Sequence, residues 1–133
     1  MKHITVHLIS DCFIMDPIKT AEILSSTDDF NYSPYTYGFS NYSRENFREN
    51  ILTYGNVMDL SNKGPKGTHL GGTGIAISNK SHHKDLALEY SYWIAGADCQ
   101  KSIFYKSGGQ PGNSIAWENQ QINDECNGFF TNT

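Results

Sequence analysis

The sequence has no hydrophobic run long enough to span a bilayer, no basic cluster and no paired cysteine motif. A membrane-spanning helix needs about 18 or more consecutive apolar residues, and nothing here approaches that. A nucleic-acid surface needs Lys and Arg gathered into a stripe. The ten basic residues are scattered and the formal net charge is −4, so nucleic acid is excluded as a partner. The three cysteines, Cys12, Cys99 and Cys126, are odd in number and far apart. Without a CxxC, neither a zinc knuckle nor a thioredoxin-type motif is indicated. A Cys99–Cys126 bridge requires an oxidising compartment, and a buried free thiol is the commoner state of such residues. The first seven residues carry neither a long apolar stretch nor a small-residue cleavage site. Read as written, the chain has no signal peptide and stays in the cytoplasm.

Catalytic patterns are equally scarce. A nucleophilic enzyme needs Cys or Ser beside a base. Cys99 and the His82–His83 pair sit some four helical turns apart, so they cannot meet along one helix. There is no GxSxG elbow. His3 and His7 lie on a segment that reads as a strand, and adjacent His82 and His83 point apart on a helix, so no zinc spacing arises. Gly71-Gly72-Thr73-Gly74 is not a phosphate loop: no Lys-Ser or Lys-Thr follows, and it precedes a strand-like run rather than opening a helix. The expectation is a protein that is not an enzyme and needs neither metal nor cofactor.

What the sequence does have is aromatic and amide chemistry. Aromatic residues make up 13 %, with eight Tyr. Between Tyr32 and Ser43 five aromatic residues alternate with Asn, Ser, Pro and Gly, with no helical period. This reads as a loop, and loops on a rigid scaffold often carry function. Its bland rival is a loop pinned by its own ring contacts. Asp16-Pro17 predicts a helix start, because Asp caps free amides and Pro suits the first helical position; the apolar face then runs to about Ser26. Alternation predicts short strands over residues 3–9, 50–58 and Gly74–Ser78. Leu86, Tyr90, Trp93 and Ala97 recur at three- and four-residue steps and predict a helix after Ser81. A second helix is expected from Asp98 to about Lys106, ended by Gly108-Gly109 and Pro111. One more short helix is expected around Ala116 and Trp117. Tyr faces with hydroxyl and amide partners suit a sugar, whose C–H faces stack and whose hydroxyls need both donors and acceptors.

Three stretches then share an order and spacing. They are 70–78 (Leu-Gly-Gly-Thr-Gly-Ile-Ala-Ile-Ser), a helix with Ala87, Tyr90 and Trp93, and Ser107-Gly108-Gly109-Gln110-Pro111 followed by Ala116-Trp117. Together with 35–44 and the end from Asn123 through Phe130, they resemble family 1 extracellular solute-binding proteins, the capturing subunits of sugar ABC importers. The similarity covers roughly residues 15 to 133. It implies an α/β fold: part of a periplasmic-binding-protein-like (type II) architecture, with helices on a short incomplete sheet. It implies that residues 1–133 form the C-terminal fragment of a longer two-lobed protein, with about 1–67 from one lobe and 68–133 from the other. It further implies an extracellular or periplasmic location, a carbohydrate ligand and an ABC permease as partner. Tyr37, Asn41 and Tyr42 are expected at the cleft, with Gly71, Gly72, Gly109 and Gln110 on the facing turns. Glycine lets a ligand approach the backbone, and Gln110 can both donate and accept. The rival reading of Gly108 and Gly109 is a helix cap. The rival to the whole functional reading is a fragment that binds no solute, or a pseudogene product, acting at most as an interaction or structural piece. Trp93, Ile94, Phe104 and Trp117 are large apolar groups whose partners would then lie outside this sequence, so poor stability or self-association is expected.

Overall fold

The computed structural model describes residues 14–27, 29–57, 59, 63–64 and 71–133. Helix α1 spans Pro17–Ser26 and begins as its sequence dictates: Pro17 occupies the first turn and the Asp16 carboxylate accepts from the Lys19 amide at 2.8 Å. It buries Ala21 and Ser25. The described residues between α1 and the next helix are irregular apart from a 3-10 turn over Ser40–Ser43. Helix α2 spans Lys84–Ala95. Ser81 does not cap it. The Ser81 hydroxyl instead accepts from the His83 amide at 3.2 Å, which closes a small turn and delays the helix to Lys84.

Helix α3, Ala97–Cys99, runs directly into a π-helical stretch, Gln100–Phe104. The buried Gln100 side chain pins both neighbours of that widened turn: it donates to the Ile94 carbonyl at 2.7 Å and accepts from the Gly112 amide at 2.8 Å. Gly108 ends the helix with φ +88°, a conformation that side chains resist, and the Gly109 amide closes back on the Phe104 carbonyl at 2.9 Å. Helices α4 (Ser114–Trp117), α5 (Gln120–Glu125) and α6 (Phe129–Asn132) complete the chain. Asn113 caps α4 and Asn119 caps α5 through their side-chain oxygens.

The core lies under these last helices. Tyr105, Ala116, Ile122, Cys126 and Phe129 are buried together, with Tyr54 and Phe130 packed against them. Tyr54 meets Phe129 edge-on at 5.2 Å between ring centres. Cys99 and Cys126 are both buried free thiols, and burial raises the Cys126 pKa. No described helix is long and apolar enough to cross a membrane.

The α/β expectation is overturned. The described residues contain no strand and no sheet, so this is not a periplasmic-binding-protein-like α/β layer with helices on a sheet. Alternating sequence makes a segment strand-capable, but a strand exists only when a neighbour completes its ladder. Residues 71–77 have no such neighbour: none of their backbone groups bonds to another described residue. Residues 50–57 are tied by single bonds to separate elements, Asn50 N–H to the Ser25 carbonyl and Leu52 N–H to the Tyr42 carbonyl. The expected strand over residues 3–9 lies outside the described residues.

Candidate functional site

A cavity of about 470 Å³ opens between α1, residues 30–36 and residues 50–57. Ala21 and Leu24 of α1 form an apolar wall. Phe30, Tyr32 and Tyr54 bring aromatic rings, and Asn31, Asn50 and Asn56 bring amides. Ser33, Thr36 and Thr53 add hydroxyls. Among the described residues no carboxylate, imidazole, amine or guanidinium lines it. The Thr36 hydroxyl is buried without a hydrogen-bond partner. The Tyr54 hydroxyl, near the Phe39 backbone, makes no hydrogen bond of regular geometry, and burial raises its pKa. A buried hydroxyl left unpaired costs free energy that a bound polar group would recover.

The wall of the cavity is braced from behind by charge. Glu22 of α1 accepts from the Tyr42 hydroxyl at 2.6 Å and from Arg48 at 2.6 and 3.0 Å. The Arg48 guanidinium and the Tyr42 hydroxyl hold the Glu22 carboxyl below the usual glutamate range. Burial, then the bond to Glu22, pushes Tyr42 up to about 12. Arg48 also lies over the Phe47 ring at 4.5 Å. Residues 42–48 and α1 are thereby locked together, and α1 carries part of the cavity lining on its adjoining turns.

The residues expected at a ligand cleft are distributed over three places, none of them in the cavity lining. Asn41, Gly109 and Gln110 come together in a clamp. Gln110 accepts from the Ser40 amide at 2.7 Å and donates to the Gly38 carbonyl at 3.3 Å. Asn41 donates to the Gly108 carbonyl at 2.9 Å. Arg44 adds a bond to the Tyr105 carbonyl at 3.2 Å and lies flat over the Tyr105 ring at 3.9 Å. At Gly109 a Cβ would fall 2.5 Å from the Phe104 ring, so the bare backbone there makes room for the chain's own aromatic side chain. Tyr37 and Gly71 meet elsewhere, where a Cβ on Gly71 would come 3.0 Å from the Tyr37 ring. Tyr42 is committed to Glu22, and Gly72 faces open space.

Sequence reasoning located the aromatic loop but passed over Phe30, Thr36, Asn50, Tyr54 and Asn56. The available signal was the run of Asn, Thr and Tyr over 50–56, an unusual density of polar groups for a strand meant to be buried. Comparison with protein-family models, with curated proteins and with solved structures finds no match to this chain.

Proposed function

We propose that this chain captures a small neutral carbohydrate in the cavity between α1 and residues 30–36 and 50–57. The observation that carries the reading is the lining itself: aromatic side chains, amides and hydroxyl-bearing residues, and no charged side chain among the described residues. Aromatic rings stack on the C–H faces of a sugar, and amides and hydroxyls match its mixed donors and acceptors. A volume near 470 Å³ lies within the range of small-molecule pockets. Among the described residues the lining holds no acid or base suited to neutral pH, so the proposed role is capture without chemistry. Delivery to an ABC permease, as a solute-binding component, is the further step that the resemblance of residues 35–44, 70–78 and 107–117 suggests. In this reading Tyr42 supports the site from behind through Glu22, while Asn41 and Gln110 fix the loop that carries Tyr37.

Isothermal titration of the purified chain against neutral mono- and disaccharides, with a sugar acid and an amino sugar as charged controls, tests this. Tyr32 is 70 % exposed and Asn56 is also exposed, so Tyr32→Ala and Asn56→Ala should leave the fold intact. Each should weaken binding by about 3- to 10-fold, the scale of one lost aromatic or hydrogen-bonding contact. A chain that binds none of the neutral sugars, or binds one with full affinity in both variants, removes the proposal.

A further inference from the structure

Residues 71–95 lie in the longest continuous described stretch that contributes no buried residue. Its first part is chemically a strand: Thr73, Ile75 and Ile77 alternate with Gly72, Gly74 and Ala76. Yet its backbone groups over 71–77 bond to no other described residue, and Ile75 is 54 % exposed. An open row of amides and carbonyls beside β-branched side chains is a template for another strand. Its second part is α2, twelve residues with none buried. Leu86, Tyr90 and Trp93, spaced by four and three, form one apolar stripe along it, and they are 66 %, 54 % and 50 % exposed. The Tyr90 and Trp93 rings lie 5.7 Å apart and tilted by 37°, already in contact as one apolar patch. The inward side of α2 offers only half-buried Ala87, Ser91 and Ile94.

We propose that this segment is the interface of a two-fold dimer. Residues 72–77 of two copies would pair antiparallel, with the α2 stripes closing over the pair. Two observations select a second copy as the occupant. The surface needs a partner with an unpaired strand and an apolar stripe, and the chain itself supplies both within one segment. Identical segments pairing antiparallel satisfy each other about a two-fold axis, which is the commonest closed symmetry. The area is also adequate. Ile75, Leu86, Tyr90 and Trp93 leave on the order of 500 Å² of side chain exposed, and the strand edge adds to it, approaching the ~800 Å² that each partner of a standard interface buries. Pairing gives the amides of Thr73, Ile75 and Ile77 the ladder that they lack among the described residues.

Sedimentation velocity of the whole chain between about 1 and 100 μM, where a standard-sized interface is expected to associate, should show reversible conversion to a species of doubled mass. Hydrogen exchange should show the amides of Thr73, Ile75 and Ile77 protected at the upper concentration and open at the lower. Ile75→Lys and Trp93→Glu change side chains that are exposed in the single chain, so helical circular dichroism should be unchanged. Each should raise the dissociation constant at least ~10-fold, as loss of a central apolar contact does. A chain that stays monomeric throughout overturns the proposal, as does open-ended growth without a dimer plateau. A dimer indifferent to both substitutions, or one whose 72–77 amides stay open, overturns it as well. The neutral-sugar titration reads the cavity on the other segments, so either proposal can fail alone.

Discussion

Helix α2 and the C-terminal helices α4 to α6 are built from similar residues and meet opposite fates. Helix α2 has twelve residues, a clear apolar period and no buried side chain. Helix α5 has six residues and α6 has four, yet they bring Ile122, Asn123 and Phe129 into the core. Segments that short do not hold a helix in isolation. They persist here through packing, and the first turn of α5 is also satisfied by a side chain, whereas α6 has no side-chain cap. Asn119 caps α5 at 3.1 Å, Asn123 donates to the Trp117 and Asn119 carbonyls, and Asn127 reaches the Ser43 carbonyl at 2.7 Å. No side chain caps the N-terminus of α2, while Gln100 and Asn113 donate to its Ile94 and Ala95 carbonyls. Burial in this molecule does not follow where the apolar period is longest.

The comparison is broken most sharply by one pair of truncations. Phe129→Ala should lower stability by about 3–5 kcal/mol, since it empties a core position that contacts Tyr54 and Phe130. Leu86→Ala on α2 should stay within about 0.5 kcal/mol when measured dilute, because the side chain is 66 % exposed. Urea denaturation of both checks this, and equal losses would erase the distinction. Next in size is Gln110→Ala, which removes both bonds of the clamp and strands the amide of fully buried Ser40. A loss of about 1–3 kcal/mol is expected by the same measurement. Gly108→Ala should cost about 1 kcal/mol, the usual charge for a side chain at positive φ. Replacing neighbouring Gly112, whose φ is not positive and whose Cβ would meet open space, should cost less.

The smallest effect sharpens the comparison at its exposed edge. Glu22 has a lowered pKa in the folded chain, so its ionised form favours folding. That contribution is present above the ordinary glutamate pKa of 4.5 and is lost as pH falls through the lowered folded value. Thermal melts between about pH 3 and pH 6 should show an acid-side decline that Glu22→Gln flattens. Tyr42 acts with the opposite sign. Its pKa, raised from 10.0 to about 12, favours the neutral phenol when folded. Its contribution is full below pH 10 and is lost as pH rises through about 12. Glu22→Gln should weaken that alkaline step too.

The parts of the fold legible in the sequence are those set by neighbours a few residues away. Asp16-Pro17 starts α1 because both signals act within one turn. Gly108 ends the helix after Phe104 because positive φ is a local demand. The lack of a sheet among the described residues was not legible, because alternation over Gly74–Ser78 says what the segment can do and nothing about whether a neighbour exists. The site divides in the same way. Donor and acceptor capacity at Gln110 and Asn41 is visible in their side chains, but their partners at Ser40 and Gly108 stand seventy and sixty-seven positions away. Residues 50–57 read as a strand, and only their placement against α1 makes them a cavity wall.

The separation spanned by that clamp also sets an order of events. Joining Ser40 to Gln110 closes a loop of seventy residues, at an entropic cost of roughly 4 kcal/mol from length alone. The contacts among α3 to α6 close over far shorter spans and can form before it. The Gln110 bonds are therefore expected among the contacts that form after the barrier, together with other long-range ties such as Asn127 to Ser43. Cutting them speeds unfolding while leaving the folding rate nearly untouched. Gln110 thus acts as a latch on the lifetime of the folded state: the chain finds its structure without this side chain and keeps it for less time.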